Sequence, residues 1–274
     1  QNRQDGKVMA TQQPSRPDEA IDTYDRILDH APDDRRAIDA LEILLTDAER
    51  WEDLIRVYGL KRELRDDPEW RKASLARIAG IHDDHLGRWQ DAVAVWMQVL
   101  DIDAQDPQPS EELIRIYERE ERWTDLLDVL ARQAGVNEDP EEQAALKLRI
   151  GELLELRMDE QDRAIDAYQE VLASRPEHAG ARAGLERLLE QPDHRRRSAQ
   201  VLESVYTASE EWEPLSKALA AQIADSQIPD ERVVLQLRLA ELFVRELDDP
   251  RRAYDTVAEA FPNHRSNLEV LERL

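Results

Sequence analysis

The chain has 274 residues, 36% of them charged, and a net charge of −24 at pH 7. That balance opposes binding to nucleic-acid phosphates and to anionic membrane surfaces, so a protein or peptide partner of basic or neutral character is expected, with no nucleic acid. Cysteine is absent, which excludes disulfides, thiolate metal sites and a cysteine nucleophile, and no run of 18 apolar residues is present to insert into a membrane.

Scarce glycine and abundant Leu, Ala, Glu, Arg and Asp make a helix-forming mixture. Residues 1–16 are polar, carry Pro14 and show no periodicity, so they read as a flexible leader, with 17–274 as one continuous array. Pro17, Asp18 and Glu19 mark a helix start. Ala20, Tyr24, Ile27 and Leu28 follow on one face as far as Ala31-Pro32, and a second helix from Asp34 carries Ile38, Leu41, Leu44 and Leu45. Trp51 then opens a stretch whose apolar positions return 72 residues later: Trp51 as Trp123, Pro68 as Pro140, Ile78 as Ile150, Ala79 as Gly151, Ala92 as Ala164, Trp96 as Tyr168. A third copy starts at Trp212 and keeps Pro229, Leu239, Ala240, Ala253 and Phe261 in register. Fixed-period similarity signals a stacked array.

Each unit reads as four helices. The first starts at the tryptophan and the second at an acid-proline pair, Asp67-Pro68 or Asp139-Pro140, reversed as Pro229-Asp230. Two irregularities break the period. Trp123 and Trp212 lie 89 residues apart, which puts an insertion near 190–207, where EQPDHRRRS reads as a solvated turn between two copies of the helix that precedes the tryptophan. Its triple-basic run, Arg195, Arg196 and Arg197, is a possible docking corner. The chain also starts on the second helix of a hairpin and ends at Leu268, Leu271 and Leu274, an apolar face suited to end-to-end contact with another chain or to a longer array, so a homo-oligomer through the terminal helices is an open expectation.

The segment LKLRIGELLELRMDEQDRAIDAYQEVLASRP resembles a tetratricopeptide repeat: Ile150-Gly151 as the large-small pair, then Leu154, Ala164, Tyr168 and closing Pro176. Ala20, Tyr24 and Pro32 repeat its second half, and Ile78-Ala79 with Ala92 and Trp96, and Leu239-Ala240 with Ala253, give further copies. The turns before Ala92, Ala164 and Ala253 are one residue longer than that pattern. The resemblance implies an all-α fold, a right-handed α-α superhelix of helical hairpins, and a non-enzymatic scaffold for protein–protein interaction. By the same analogy the first helix of each hairpin lines a concave groove, with Gly80, Asp83, Asp84, Glu152, Glu155, Glu241 and Arg245 as partner-binding candidates and an acidic groove for a peptide. A self-assembling array or spacer, and a recruiting module of an enzyme outside these residues, are the alternatives.

Chemistry is sparse. His82-Asp83-Asp84-His85 has helical metal-ligand spacing, but His82 shares its repeat position with Leu154 and Phe243, a packing site. Phosphate loops, nucleophile elbows and metal-hydrolase signatures are missing, so no cofactor, metal or catalytic residue is expected. Trp51, Trp123, Trp212 and Trp96 recur at packing positions and read as core, leaving Trp70 and Trp89 for a surface.

Overall fold

The computed structural model describes residues 16–260, and the calls on the leader before Arg16 and on Leu268, Leu271 and Leu274 lie outside them. Fourteen α-helices and one π-helical turn, with no strand, make up the described residues. Contacts divide the chain after Glu120 into two units. The first holds α1 (Arg16–His30), α2 (Arg35–Asp47), α3 (Trp51–Glu63), α4 (Pro68–Gly80), the π turn Ile81–His85, α5 (Trp89–Ile102) and α6 (Pro107–Arg119). The second holds α7 (Trp123–Val136), α8 (Pro140–Leu156), α9 (Gln161–Ser174), α10 (Ala179–Leu189), α11 (Pro192–Ala208), α12 (Trp212–Asp225), α13 (Pro229–Arg245) and α14 (Pro250–Ala260). Within each unit successive helices pack on one another, and α10 also reaches α8 while α11 reaches α9.

The starts follow local chemistry. Asp67 and Asp139 accept from the amides of Glu69 and Glu141 while proline fills the first helical position, so the acid satisfies one orphan donor and proline lacks another. Asp106, before Pro107, caps α6 in the same way, and Asp34 caps α2 without a proline by accepting from the Ala37 amide. α13 departs: its cap position is Ile228, with no side-chain bond and 56% exposed.

The ends recur as well. Glu49, Glu121 and Glu210, two residues before each repeated tryptophan, all take left-handed φ of 53–55°. The longer turns before Ala92, Ala164 and Ala253 are built by another shared device. Amides of Arg88, Glu160 and Asp249 reach back to the carbonyls of His82, Leu154 and Phe243 at 2.8–2.9 Å. Between them Gly87, Asp159 and Asp248 take positive φ. The extra residue therefore loops out in αL and lets the helix end widen, and in the first copy the widening extends back into the π turn.

The repeated tryptophans are only half-buried, unlike Trp96. Each sits at a helix start, and in the first two copies one ring face meets the end of a later helix: His85 stacks on Trp51 at 3.7 Å, and Arg157, 72 residues further on, lies over Trp123 at 5.3 Å.

The insertion is a second helix, as the doubled register implies, with the turn confined to Glu190 and Gln191. Pro192 opens α11 as Pro68 and Pro140 open theirs, so Arg195, Arg196 and Arg197 lie on its first turns. α10 keeps the regular contacts toward the preceding hairpin, and α11 keeps the left-handed Glu210 turn toward the following tryptophan. Restoring the missing cap should help: Ile228→Asp is expected to raise unfolding stability by about 1 kcal/mol in urea titration, and an unchanged or lower midpoint would refute the capping account.

Candidate functional site

Tyr168 sits at the junction of α8, α9 and α10 with no exposed surface. A methyl on Gly151 of α8 would come within 2.5 Å of one ring edge, and one on Gly184 of α10 within 2.5 Å of the other. Only glycine on both flanks lets three helices close around the ring. At its outer end the hydroxyl donates to Glu155 at 2.6 Å, and Glu155 receives two bonds from Arg187 of α10 at 3.0 and 2.8 Å. Burial first, then the Glu155 carboxylate, pushes the Tyr168 hydroxyl well above the ordinary phenol range, so it stays a donor.

Asp83 holds the same repeat position in the first unit. Its carboxylate is 1% exposed and is gripped by Arg119 at 2.6 Å and Arg115 at 2.8 Å, both on α6. Burial would raise its pKa, but the two guanidiniums outweigh it and hold the group below the usual carboxylate range. Arg115 and Arg187 each lie 32 residues after their acid. The recurring acid-arginine spacing is the signal of both clamps in the sequence. Two of the expected groove acids therefore serve as clamps that fasten the next helix to its hairpin.

The other candidates are distributed along the chain. Gly80 ends α4, with only the Asp84 carboxylate near its missing side chain. Asp84 is exposed, 3.8 Å from Arg115. Glu152 lies one turn before Glu155 and is half-buried, and Glu241 pairs along its own helix with Arg245 at 2.9 Å. Of the arginine run, Arg195 donates to the Leu189 carbonyl and caps α10, Arg196 pairs with Glu231, and Arg197 pairs with Asp162 and Asp166. His82 faces Asp91 at 3.8 Å, His85 is occupied by Trp51, and no group of three metal-ligating side chains occurs among the described residues. Trp70 donates to the Lys61 carbonyl under the Arg65 guanidinium, a local brace. No described helix is long and apolar enough to cross a membrane.

Among the described residues of the second unit, three open grooves stand out. One of about 560 Å³ lies among α7, α8 and α9, one of about 530 Å³ between α9 and α11, and one of about 470 Å³ among α10, α11 and α12. The first two flank α9 on either side. The α9/α11 groove is mainly aliphatic, floored by Leu172 and Val205.

A family model described as tetratricopeptide repeat matches residues 144–178, the segment that holds Gly151, Tyr168 and Pro176. No curated protein matches the chain. Among solved structures, Pseudomonas aeruginosa pilF aligns at 13% identity over 94% of this chain and 99% of its own, with a TM-score of 0.32. A tetratricopeptide repeat protein from Parabacteroides merdae aligns at 14% identity over 92% and 98%, with a TM-score of 0.37. The C-terminal part of a repeat protein from Cytophaga hutchinsonii gives 13% identity over 93% and 94%, and 0.36. Residues 144–178 thus match a tetratricopeptide repeat, and the described residues as a whole form an all-helical array of recurring hairpins. That family is typically non-catalytic and associated with protein–protein interaction.

Gly184→Ala should destabilise the protein by about 1–3 kcal/mol, because the added methyl has no room against the ring; a silent substitution in thermal unfolding would show that α10 can move aside freely. Asp83→Asn should cost about 1.5–3 kcal/mol, the worth of hydrogen bonds to a charged group. Because the folded pKa of Asp83 lies below its unfolded value, its contribution is present above the unfolded carboxylate pKa and disappears as pH falls through the folded one. The parent should thus lose stability on acidification more steeply than the Asn variant, and parallel pH profiles would contradict the clamp.

Proposed function

We propose that this array is a non-enzymatic interaction scaffold that holds a segment of another protein against its helix faces, with a preference for basic or neutral segments. The observation that carries the reading is the contrast between what recurs and what varies. Positions that recur are occupied with packing, including the clamps at Asp83 and Glu155. One exposed position carries Asp84 in the first copy, Leu156 in the second and Arg245 in the third, each more than half exposed. A surface position free of packing duty and chemically different in each copy can read a ligand copy by copy.

The charge balance supplies the preference. A net −24 attracts cationic segments over a Debye length, and Asp84, Glu152 and Glu241 keep carboxylates at or near the surface. Exposed pairs contribute only about 0–1 kcal/mol each, so recognition needs several together.

Fluorescence anisotropy with synthetic peptides graded in net charge tests this. Basic peptides should bind best and weaken with added salt, and the combined variant Asp84→Ala, Glu152→Ala, Glu241→Ala should bind them roughly three- to thirtyfold more weakly at unchanged helical content. Binding indifferent to peptide charge, or unmoved by the triple variant, would remove the acidic preference.

A further inference from the structure

The π turn Ile81–His85 carries two histidines, and each touches a neighbouring element in a way that its own protonation strengthens. The imidazole of His85 is exposed to solvent and lies 3.7 Å from the Trp51 ring, within 8° of parallel to it. The Nδ1 of His82 is buried without a hydrogen-bond partner and faces the Asp91 carboxylate of α5 at 3.8 Å.

Later copies fill the same places with groups that do not titrate near neutral pH. Arg157, in register with His85, lies over Trp123 at 5.3 Å. The pair in register with His82 and Asp91 is Leu154 with Arg163 in the second copy and Phe243 with Arg252 in the third, where the guanidinium lies 4.5 Å over the phenyl ring. Each later copy therefore holds a permanent cation on an aromatic face near this turn, and the first copy alone has histidine there.

The surrounding charges leave room for that cation. The turn packs against α3, α4 and α5. From α3 comes Glu52, paired with Arg88; from α5 comes Asp91; from α4 comes Arg77, near Tyr58. Inside the turn Asp83 is gripped by Arg115 and Arg119 of α6, and Asp84 lies 3.8 Å from Arg115. Every one of these arginines except Arg77 thus meets a carboxylate. A protonated His85 meets the negative face of the indole at little desolvation cost, because it is exposed. A protonated His82 turns its orphaned nitrogen into a charged donor aimed at Asp91, which offsets the cost of charging a half-buried ring.

We propose that the π turn is a pH-sensitive joint: protonated at His82 and His85 it is fastened to α5 and to the start of α3, and deprotonated it keeps only the Asp83 clamp and neutral packing. Both contacts favour the protonated form of the folded chain, so their contribution is present in acid and is lost as pH rises through the imidazole range. Asp84 lies between the two histidines, so the same protonation steadies the carboxylate that differs from copy to copy. The joint stands apart from the scaffold reading, since its tests involve no partner.

Urea unfolding of the full chain at about pH 5.5 and about pH 8, either side of the histidine range, tests it. Comparing parent with variant at each pH cancels the titration of the acidic surface that both share. The ratio of folding constants, parent over His85→Gln, should be roughly two- to fivefold larger at the lower pH, the size of one exposed cation–π contact. His82→Gln should shift in the same direction. His85→Arg, which copies the second unit's Arg157, should exceed His85→Gln by a similar factor at both pH values. Tryptophan emission supplies a readout that stability alone does not move: an imidazolium quenches an indole stacked on it, so the parent should dim on acidification more than His85→Gln does, with circular dichroism showing both folded. A parent-to-variant ratio that is the same at both pH values, or acid quenching unchanged in His85→Gln, would overturn the joint.

Discussion

The close approach of α8, α9 and α10 around Tyr168 is the constraint on which the second unit depends. A phenol ring with no exposed surface needs a flat slot, and the slot exists only because Gly151 and Gly184 present backbone to its two edges. That proximity brings Glu155 within reach of both the ring hydroxyl and Arg187. One hydroxyl, one carboxylate and one guanidinium satisfy each other in a place where any of them alone would be costly. Packing sets the distances and the polar groups set the register, so α10 is fixed along its axis as well as against its neighbours.

The first unit reaches a similar end by a different route. Trp96 fills the slot of Tyr168, and Ala79 stands where Gly151 does. Its clamp acid is Asp83, one carbon shorter, met by two arginines where Glu155 meets one. A shorter acid cannot reach as far, and the second arginine together with the π turn brings donor and acceptor together. Other long-range pairs, Arg175 with Glu141, Arg238 with Glu203 and Arg252 with Glu213, are exposed on at least one side. Each is worth little; they are 34, 35 and 39 residues apart and fasten later helices to earlier ones without repeating a single position.

Much of this was readable in advance, because helix starts and close contacts are written in residues with one physical use. The tryptophan starts, the acid-proline caps and the Gly151–Tyr168 contact follow from local geometry, and Pro192 carries the same meaning as Pro140. Reading EQPDHRRRS as a turn gave weight to its polarity when the proline was the stronger sign. The buried acids were harder. With 61 acidic residues, a carboxylate on a helix face looks like any other, and only the recurrence of arginine at a fixed distance separates Asp83 and Glu155 from Asp84 and Glu152. The rings of Trp51 and Trp123 are half-open because a helix start exposes what a helix middle covers.

Doubling one helix has consequences for the surface. α10 fits the register behind α9, and α11 fits the register ahead of α12, so neither hairpin is distorted by the addition. The consequence falls on the contact between α9 and α11, where Arg197 bonds Asp162 and Asp166 and a groove lies over Leu172 and Val205. Here it stays open and aliphatic, in a chain whose other exposed faces are crowded with charge. Regular packing is what the repeats share, and a place where the regularity is interrupted is where an array of this kind can acquire a contact that its other copies lack.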